Sequence, residues 1–288
     1  LRSLVGSEMC IRDRRGGARR VLIVIRQLRT YTRSMTEIRL EGVTKRFGAT
    51  IAVDRVTATI RHGEFFGIVG PTGCGKTTLL RLIAGLIRPD SGEILFDGEA
   101  VTRLSPGERR VRMVFQDFAL YPHLRVFDEH RFSNLGFPLK IRKLPSGRIK
   151  EMVDAIASRL RIGKELFPRK PRELSAGQQQ KVAVGRAIAL PPRILLMDEP
   201  LSNLDPQSRL VARDEVRKLH QELNVTSVYV THDLAEAFSL SDRVAVMRDG
   251  AFLQVGSPRA IQRNPADEFV ASFVRSFVEL NRGLMGSD

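Results

Sequence analysis

The segment that most restricts this chain is Gly70-Pro-Thr-Gly-Cys-Gly-Lys-Thr77, which stands between an apolar run, Phe65 to Gly70, and a helix-forming stretch from about Lys76 to Leu86. A glycine, four residues and then Gly-Lys-Thr is the phosphate-loop pattern, and its mechanism requires a strand before it and a helix after it. Glycine lets successive backbone N–H groups turn inward around a phosphate, while the following helix aims its positive end at the same anion. In this reading Gly70, Pro71, Thr72, Gly73, Cys74 and Gly75 form the cradle, and Thr78 carries it into the helix. Lys76 supplies a mobile cation for the β and γ phosphates, and the Thr77 hydroxyl is placed to ligate Mg²⁺.

The remaining chain alternates short β-like runs with longer helical stretches and has no internal repeat, so the expected class is α/β. Thr36 to Phe47 and Ile51 to Ile60 read as alternating strands. The runs Ile194-Leu-Leu-Met197 and Ser227-Val-Tyr-Val230 lack alternation, as parallel strands buried on both faces do. Asp97-Gly98 follows the apolar run Ile94 to Phe96, and Asp249-Gly250 lies between the runs Val244 to Met247 and Ala251 to Leu253. Asp-Gly is a strong hairpin signal, and both hairpins are expected in an antiparallel side sheet. Residues 119–185 change character, with many Lys and Arg residues, several prolines and helical periodicity, and read as a helical insertion. The expected organisation is a core over 35–118 and 186–288 with a helical subdomain at 119–185. Pro265 to Val278 reads as a closing helix.

Asp198 ends an apolar run and is followed at once by Glu199, so a buried strand delivers two carboxylates to a ligand crevice. One carboxylate can hold Mg²⁺, usually through water, while its neighbour positions and deprotonates an attacking water.

Leu174-Ser-Ala-Gly-Gln178, with Ser175 lying 23 residues before Asp198, gives the arrangement a family. The chain resembles the ATPase subunit of ATP-binding cassette (ABC) transporters over residues 36 to about 276. The likeness also rests on Gln116, Pro200, Ser202-Asn-Leu-Asp205 and His232. It is strongest toward importer ATPases of the maltose, glycerol-phosphate and polyamine type, through Tyr121-Pro-His-Leu124, Lys218-Leu-His-Gln-Glu222 and Tyr229-Val-Thr-His-Asp233. The resemblance implies a P-loop NTPase (RecA-like) core with an antiparallel β side sheet and an inserted helical subdomain, using ATP and Mg²⁺. It implies that Phe47 stacks on adenine, that Gln116 contacts Mg²⁺ and the attacking water, and that His232 reaches the γ-phosphate. Asp205 would communicate across a dimer. Ser175, Ala176, Gly177 and Gln178 would close over the nucleotide of a second ATPase subunit.

The partners implied are that second subunit, integral membrane permease subunits and, indirectly, an extracytoplasmic solute-binding protein, at the cytoplasmic face of the membrane. Three departures from the family pattern stand out. Ala176 replaces the usual glycine, about five extra residues lie near 129–133, and the chain stops where related importers continue into a small β-barrel regulatory domain.

The net charge of +15 would also suit a cassette ATPase acting on nucleic acid in DNA repair or translation. Residues 1–34, however, hold nine Arg against Glu8 and Asp13. Met35 is the expected natural start, and the basic stretch before it reads as a non-native or disordered extension outside the fold. No long coiled coil, zinc module or second cassette separates the motifs, so no nucleic acid partner is expected. The longest apolar run near the start, Val21 to Ile25, falls far short of the ~20 residues a spanning helix needs. Cys10 and Cys74 show no metal or disulfide spacing, which suits a reducing compartment.

Overall fold

The computed structural model describes residues 36–190 and 192–275. The basic extension, Met35 and residues 276–288 lie outside the described residues. Strands are numbered in chain order.

An antiparallel sheet of order β2-β1-β4-β5 is built from β1 (Ile38–Phe47), β2 (Thr50–Ile60), β4 (Ser91–Phe96) and β5 (Glu99–Ala100). Its alternation is that of a sheet with one wet face: Ile38 and Leu40 are buried, while Arg39 and Glu41 are exposed. A second sheet has the order β10-β9-β3-β8-β7-β6. It contains β3 (Phe65–Val69), β6 (Val111–Val114), β7 (Ile194–Asp198), β8 (Thr226–Thr231), β9 (Arg243–Arg248) and β10 (Ala251–Gly256). From β9 to β6 every neighbouring pair is parallel, and β10 closes the edge antiparallel to β9.

One expectation is corrected here. The Asp97-Gly98 hairpin joins β4 to β5 in the antiparallel sheet, but the Asp249-Gly250 hairpin joins β9 to β10 in the mixed sheet. An Asp-Gly turn specifies the local reversal only, and which sheet receives it depends on what β9 pairs with, here β3.

Every residue of β3, β7 and β8 is buried. Successive residues face opposite sides, so the strands hold two cores together. Phe66, Ile68, Leu196 and Val230 meet Leu79, Leu82 and Ile83 of the helix Lys76–Ala84, together with the apolar face of the antiparallel sheet. On the other face Phe65, Leu195, Met197 and Tyr229 meet Leu135, Val153, Ile156, Val182 and Val216. Residues 268–275 are helical and bury Val270 and Val274 beside Leu234, Val244 and Val246.

Between β6 and β7 the chain forms the helices Phe137–Ile141, Ser146–Arg159 and Ala176–Ile188. The boundary drawn at residue 185 falls inside the last of these, which continues to Ile188. The residues near 129–133 form a turn closed on Asp128, whose Oδ1 accepts from the backbone N–H groups of His130 and Arg131. Phe132 is exposed there, beneath the Lys140 ammonium.

Arg109 was not singled out by the sequence, yet it fastens the phosphate-loop helix. It is 3% exposed and lies past the glycine that ends that helix in a left-handed turn. Its Nη1 donates to Leu82 O at 2.7 Å and Ile83 O at 2.8 Å, Nη2 to Thr102 O at 3.0 Å, and Nε to Leu104 O at 3.1 Å. Burial pulls its pKa down to about 10, so it remains a cation against the negative end of the helix. Arg109→Leu should lower the unfolding free energy by about 2–4 kcal/mol, the range for stranding several buried carbonyls; urea denaturation measures it.

Candidate functional site

Four adjacent parallel strands end at one edge of the mixed sheet. In register, Val69 of β3 lies beside Thr231 of β8, Asp198 of β7 beside Val230, and Val114 of β6 beside Met197. The chain therefore releases the phosphate loop, His232, the Asp198-Glu199 pair and the Gln116 loop from neighbouring strand ends. Strands stand only ~4.8 Å apart, so residues distant in sequence converge there.

The phosphate loop is held by close backbone approaches. A Cβ on Gly70 would lie 2.0 Å from Met247 O, and one on Gly75, where φ is +107°, would lie 2.1 Å from Ala52 O. Only glycine fits either position. Gly250 N–H donates to Cys74 O at 3.0 Å and Asp54 N–H to Gly250 O at 2.9 Å, tying the loop to the β9–β10 turn and to β2. Pro71, Thr72 and Gly73 are exposed, and Thr77 and Thr78 are half-buried at the helix start. The Lys76 side chain curls back, its ammonium donating to Gly70 O and Pro71 O at 2.8 Å each. Burial pushes the Cys74 thiol up, against the lowering pull of the Lys76 ammonium, so it stays protonated near neutral pH.

Thr77 Oγ1 donates to Asp198 Oδ1 at 2.8 Å, placing a hydroxyl and a carboxylate side by side at the helix start. These are hard oxygen donors of the kind Mg²⁺ takes from protein, one or two groups with phosphates and waters completing the shell. Among the described residues no cluster of three or more His, Cys, Asp or Glu could hold a metal. Burial pushes the Asp198 carboxyl above the usual carboxylate range, with Thr77's hydrogen bond opposing the rise.

Glu199 and His232 meet: His232 Nδ1 lies 2.9 Å from Glu199 Oε2. Glu199 has φ +44°, a left-handed conformation costly for a side chain with a Cβ and typical of functional positions. Its N–H donates to Val230 O at 2.9 Å, extending the β7–β8 pairing by one residue. Gln116 is exposed, and its carbonyl accepts from Asn203 Nδ2 at 2.8 Å, which joins its loop to the one after Glu199. Arg186 of the helix Ala176–Ile188 donates to Phe118 O and Ala119 O just beyond Gln116. Asn203 lies within the Ser202–Asp205 motif, whereas Arg186 carries no motif signal; both act on backbone carbonyls.

Phe47 stands at the β1–β2 turn, opposite Thr50, and is 52% exposed with the Lys45 ammonium 5.5 Å from its ring centre. A core phenylalanine would be buried, so this ring is available to stack. Asp205 caps the helix Pro206–Leu223, accepting from Ser208 N–H at 2.9 Å.

The Ser175–Gln178 segment does not join the others. Among the described residues no hydrogen bond or ion pair links it to the phosphate loop, Asp198, Glu199 or His232. Ser175 caps the helix in a reciprocal pair with Gln178: Ser175 Oγ accepts from Gln178 N–H and Gln178 Oε1 accepts from Ser175 N–H. The first-turn N–H groups of Ala176 and Gly177 are left for an outside acceptor. Ala176 is exposed.

A family model described as ABC transporter matches residues 53–202. The trehalose/maltose import ATP-binding protein MalK of Thermococcus litoralis is 48% identical over 248 residues, covering 84% of this chain and 65% of the relative. The sn-glycerol-3-phosphate import ATP-binding protein UgpC of Pectobacterium atrosepticum is 49% identical over 243 residues, covering 84% and 66%. The chain thus spans about two thirds of the length of these relatives. Among solved structures, a bacterial ABC transporter cassette in dimeric form superposes with a TM-score of 0.69 at 31% identity, covering 77% of this chain and 99% of that one. A dimeric cassette in a post-hydrolysis state, bound to ADP and Pi, gives 0.68 at 31% identity over the same shares.

Asp198→Asn keeps an acceptor for Thr77 and removes a buried charge. Burial raises the folded pKa, so the aspartate lends its full stability at acid pH and loses it as pH climbs through the folded value. The asparagine variant without nucleotide should therefore melt higher than the parent near neutral pH and equal to it in acid, as thermal unfolding scans will read.

Proposed function

The chain belongs to the ABC transporter family, and from that premise we propose that it is the ATP-binding and ATP-hydrolysing subunit of an ABC import system. In this reading it works as a dimer with a second ABC ATPase subunit, docked on integral membrane permease subunits at the cytoplasmic face of the membrane. An extracytoplasmic solute-binding protein acts through the permease, and no nucleic acid takes part. The observation that carries the proposal is the convergence of the phosphate loop, Asp198-Glu199, His232 and the Gln116 loop on adjacent strand ends. The likeness to import ATP-binding proteins supports the direction of transport. Among the described residues no helix is long and apolar enough to cross a membrane, which suits a subunit whose membrane role is borrowed from other chains.

The residues then have distinct tasks. The phosphate-loop N–H groups and the helix Lys76–Ala84 bind the β and γ phosphates, and the Lys76 ammonium exchanges its carbonyl partners for phosphate oxygens. Phe47 stacks on the adenine. Thr77, Asp198 and Gln116 would hold Mg²⁺, which when bound would neutralise the charge that develops on the β and γ phosphates. Glu199 Oε accepts the proton of the attacking water as the bond to the γ phosphorus forms and the bond to the β–γ bridging oxygen breaks. His232 keeps that carboxylate in place from Nδ1 and faces the γ-phosphate. The free N–H groups of Ala176 and Gly177 close over the γ-phosphate held by the opposite subunit, where the Ala176 methyl slows hydrolysis or is tolerated, without loss of activity. Asp205 lies at the same junction.

Glu199→Gln should lower kcat by about 10²- to 10⁴-fold, the usual contribution of a general base, while ATP binding survives and an ATP-bound dimer accumulates. Phosphate release and size-exclusion chromatography with ATP measure both, and hydrolysis at the parental rate would remove Glu199 as the base. Affinity purification of the tagged chain from its native membranes should recover a permease; recovery of nucleic acid in its place would overturn the import reading.

A further inference from the structure

We propose that Arg209 is a positioning residue of the catalytic centre, which with Glu236 forms a clasp behind Glu199 and His232 and holds the loops that carry both. The proposal rests on the reading above in which Glu199 and His232 serve ATP hydrolysis. No motif marks either residue.

Arg209 lies in the first turn of the helix Pro206–Leu223 and has two working edges. Toward the loop after Glu199, its Nη2 donates to Leu204 O at 3.0 Å and reaches Ser202 O at 3.5 Å. That loop is in turn fastened to Glu199, whose carbonyl accepts from Ser202 N–H at 3.2 Å and from Ser202 Oγ at 2.9 Å. Toward the other loop, Arg209 Nη1 lies 4.0 Å from Asp233 Oδ2, and Nε lies 3.8 Å from Glu236 Oε1. The Nε atom is buried and makes no hydrogen bond among the described residues, and the carboxylate that faces it is that of Glu236.

Glu236 completes the clasp. Its side chain is 7% exposed, and Oε2 accepts from Tyr229 Oη at 2.8 Å and from Thr231 Oγ1 at 2.9 Å. Thr231 Oγ1 also accepts from Asp233 N–H at 3.0 Å. Both chain neighbours of His232 are therefore anchored through Glu236, and the residues after Glu199 through Arg209. The 2.9 Å contact between His232 and Glu199 is set from behind by this pair.

The chemistry of the two side chains suits the task. A guanidinium is a planar fork that can serve carbonyls along one edge and carboxylates along another, which an ammonium cannot do at once. The strained backbone of Glu199 persists only where its surroundings over-determine it, and the clasp supplies part of that constraint. Loosening it would leave nucleotide binding intact, because among the described residues no hydrogen bond or ion pair links either side chain to the phosphate loop, and would misplace the water-activating carboxylate. Misplacement by about 1 Å can cost about 100-fold in rate.

The test is a double-mutant cycle on the full chain, reading steady-state ATP hydrolysis. Arg209→Gln and Glu236→Gln should each lower kcat by about 10- to 100-fold with KM for ATP within about twofold of the parent. The double variant should be no slower than the slower single one, because both break the same clasp. Arg209→Lys, which keeps charge and bulk, should fold as the parent does and fall between the two. Parental kcat in Arg209→Gln, multiplying losses in the double variant, or losses that follow KM and the melting temperature would each overturn the clasp. A parent chain that does not hydrolyse ATP would remove the functional reading itself, so the two failures are distinguishable.

Discussion

Parallel pairing of β3, β8, β7 and β6, each neighbour hydrogen-bonded in register to the next, is the constraint on which the rest of the molecule depends. Because these strands run the same way, their ends lie on one edge. Because they are clad on both faces, the connections must cross over the sheet as helices. Polar chemistry can then appear only where a strand stops, and here four strands stop beside one another. The phosphate loop, the acidic pair, His232 and the Gln116 loop come together because the sheet has no other outlet for them.

The loops at that edge are not independent. Asn203 holds the Gln116 carbonyl, Ser202 holds the Glu199 carbonyl, and Arg186 holds the turn beyond Gln116. Each bond joins a side chain to a backbone carbonyl, so a displacement of one loop is carried to the next through short, directional contacts. Arg186 lies on the helix that begins at Ala176, which gives the outlying Ser175–Gln178 segment a rigid connection to the Gln116 loop. The antiparallel sheet is joined to the centre in a similar way, through the backbone of Ala52, Asp54 and Gly250 beside the phosphate loop.

Motifs whose chemistry depends on consecutive residues were legible. Gly70 to Thr77 combines its glycines, its cation and its hydroxyl in one segment, and the structure shows why Gly70 and Gly75 admit no side chain. The buried strands ending at Asp198 and Thr231 are also legible, because continuous apolar runs leave few alternatives. The Asp249-Gly250 pair specifies a reversal but not the sheet that receives it, since turn chemistry is local and strand partnership is not. Arg109, Arg186, Arg209 and Glu236 belong to no motif. Their partners are backbone carbonyls, hydroxyls and carboxylates of other elements and loops, and no spacing encodes that.

The sequence by itself determined that this is an α/β chain with a phosphate loop, an acidic pair suited to water activation and the motif set of an ABC ATPase, because each of these is written in residues close together. Only the tertiary structure decided that His232 meets Glu199, that Thr77 meets Asp198, that Phe47 is exposed, and that Ser175 to Gln178 stands apart from the phosphate loop of its own chain. The reason is physical: those relations are set by the order in which parallel strands pair, and that order is chosen by two hydrophobic cores on opposite faces of one sheet.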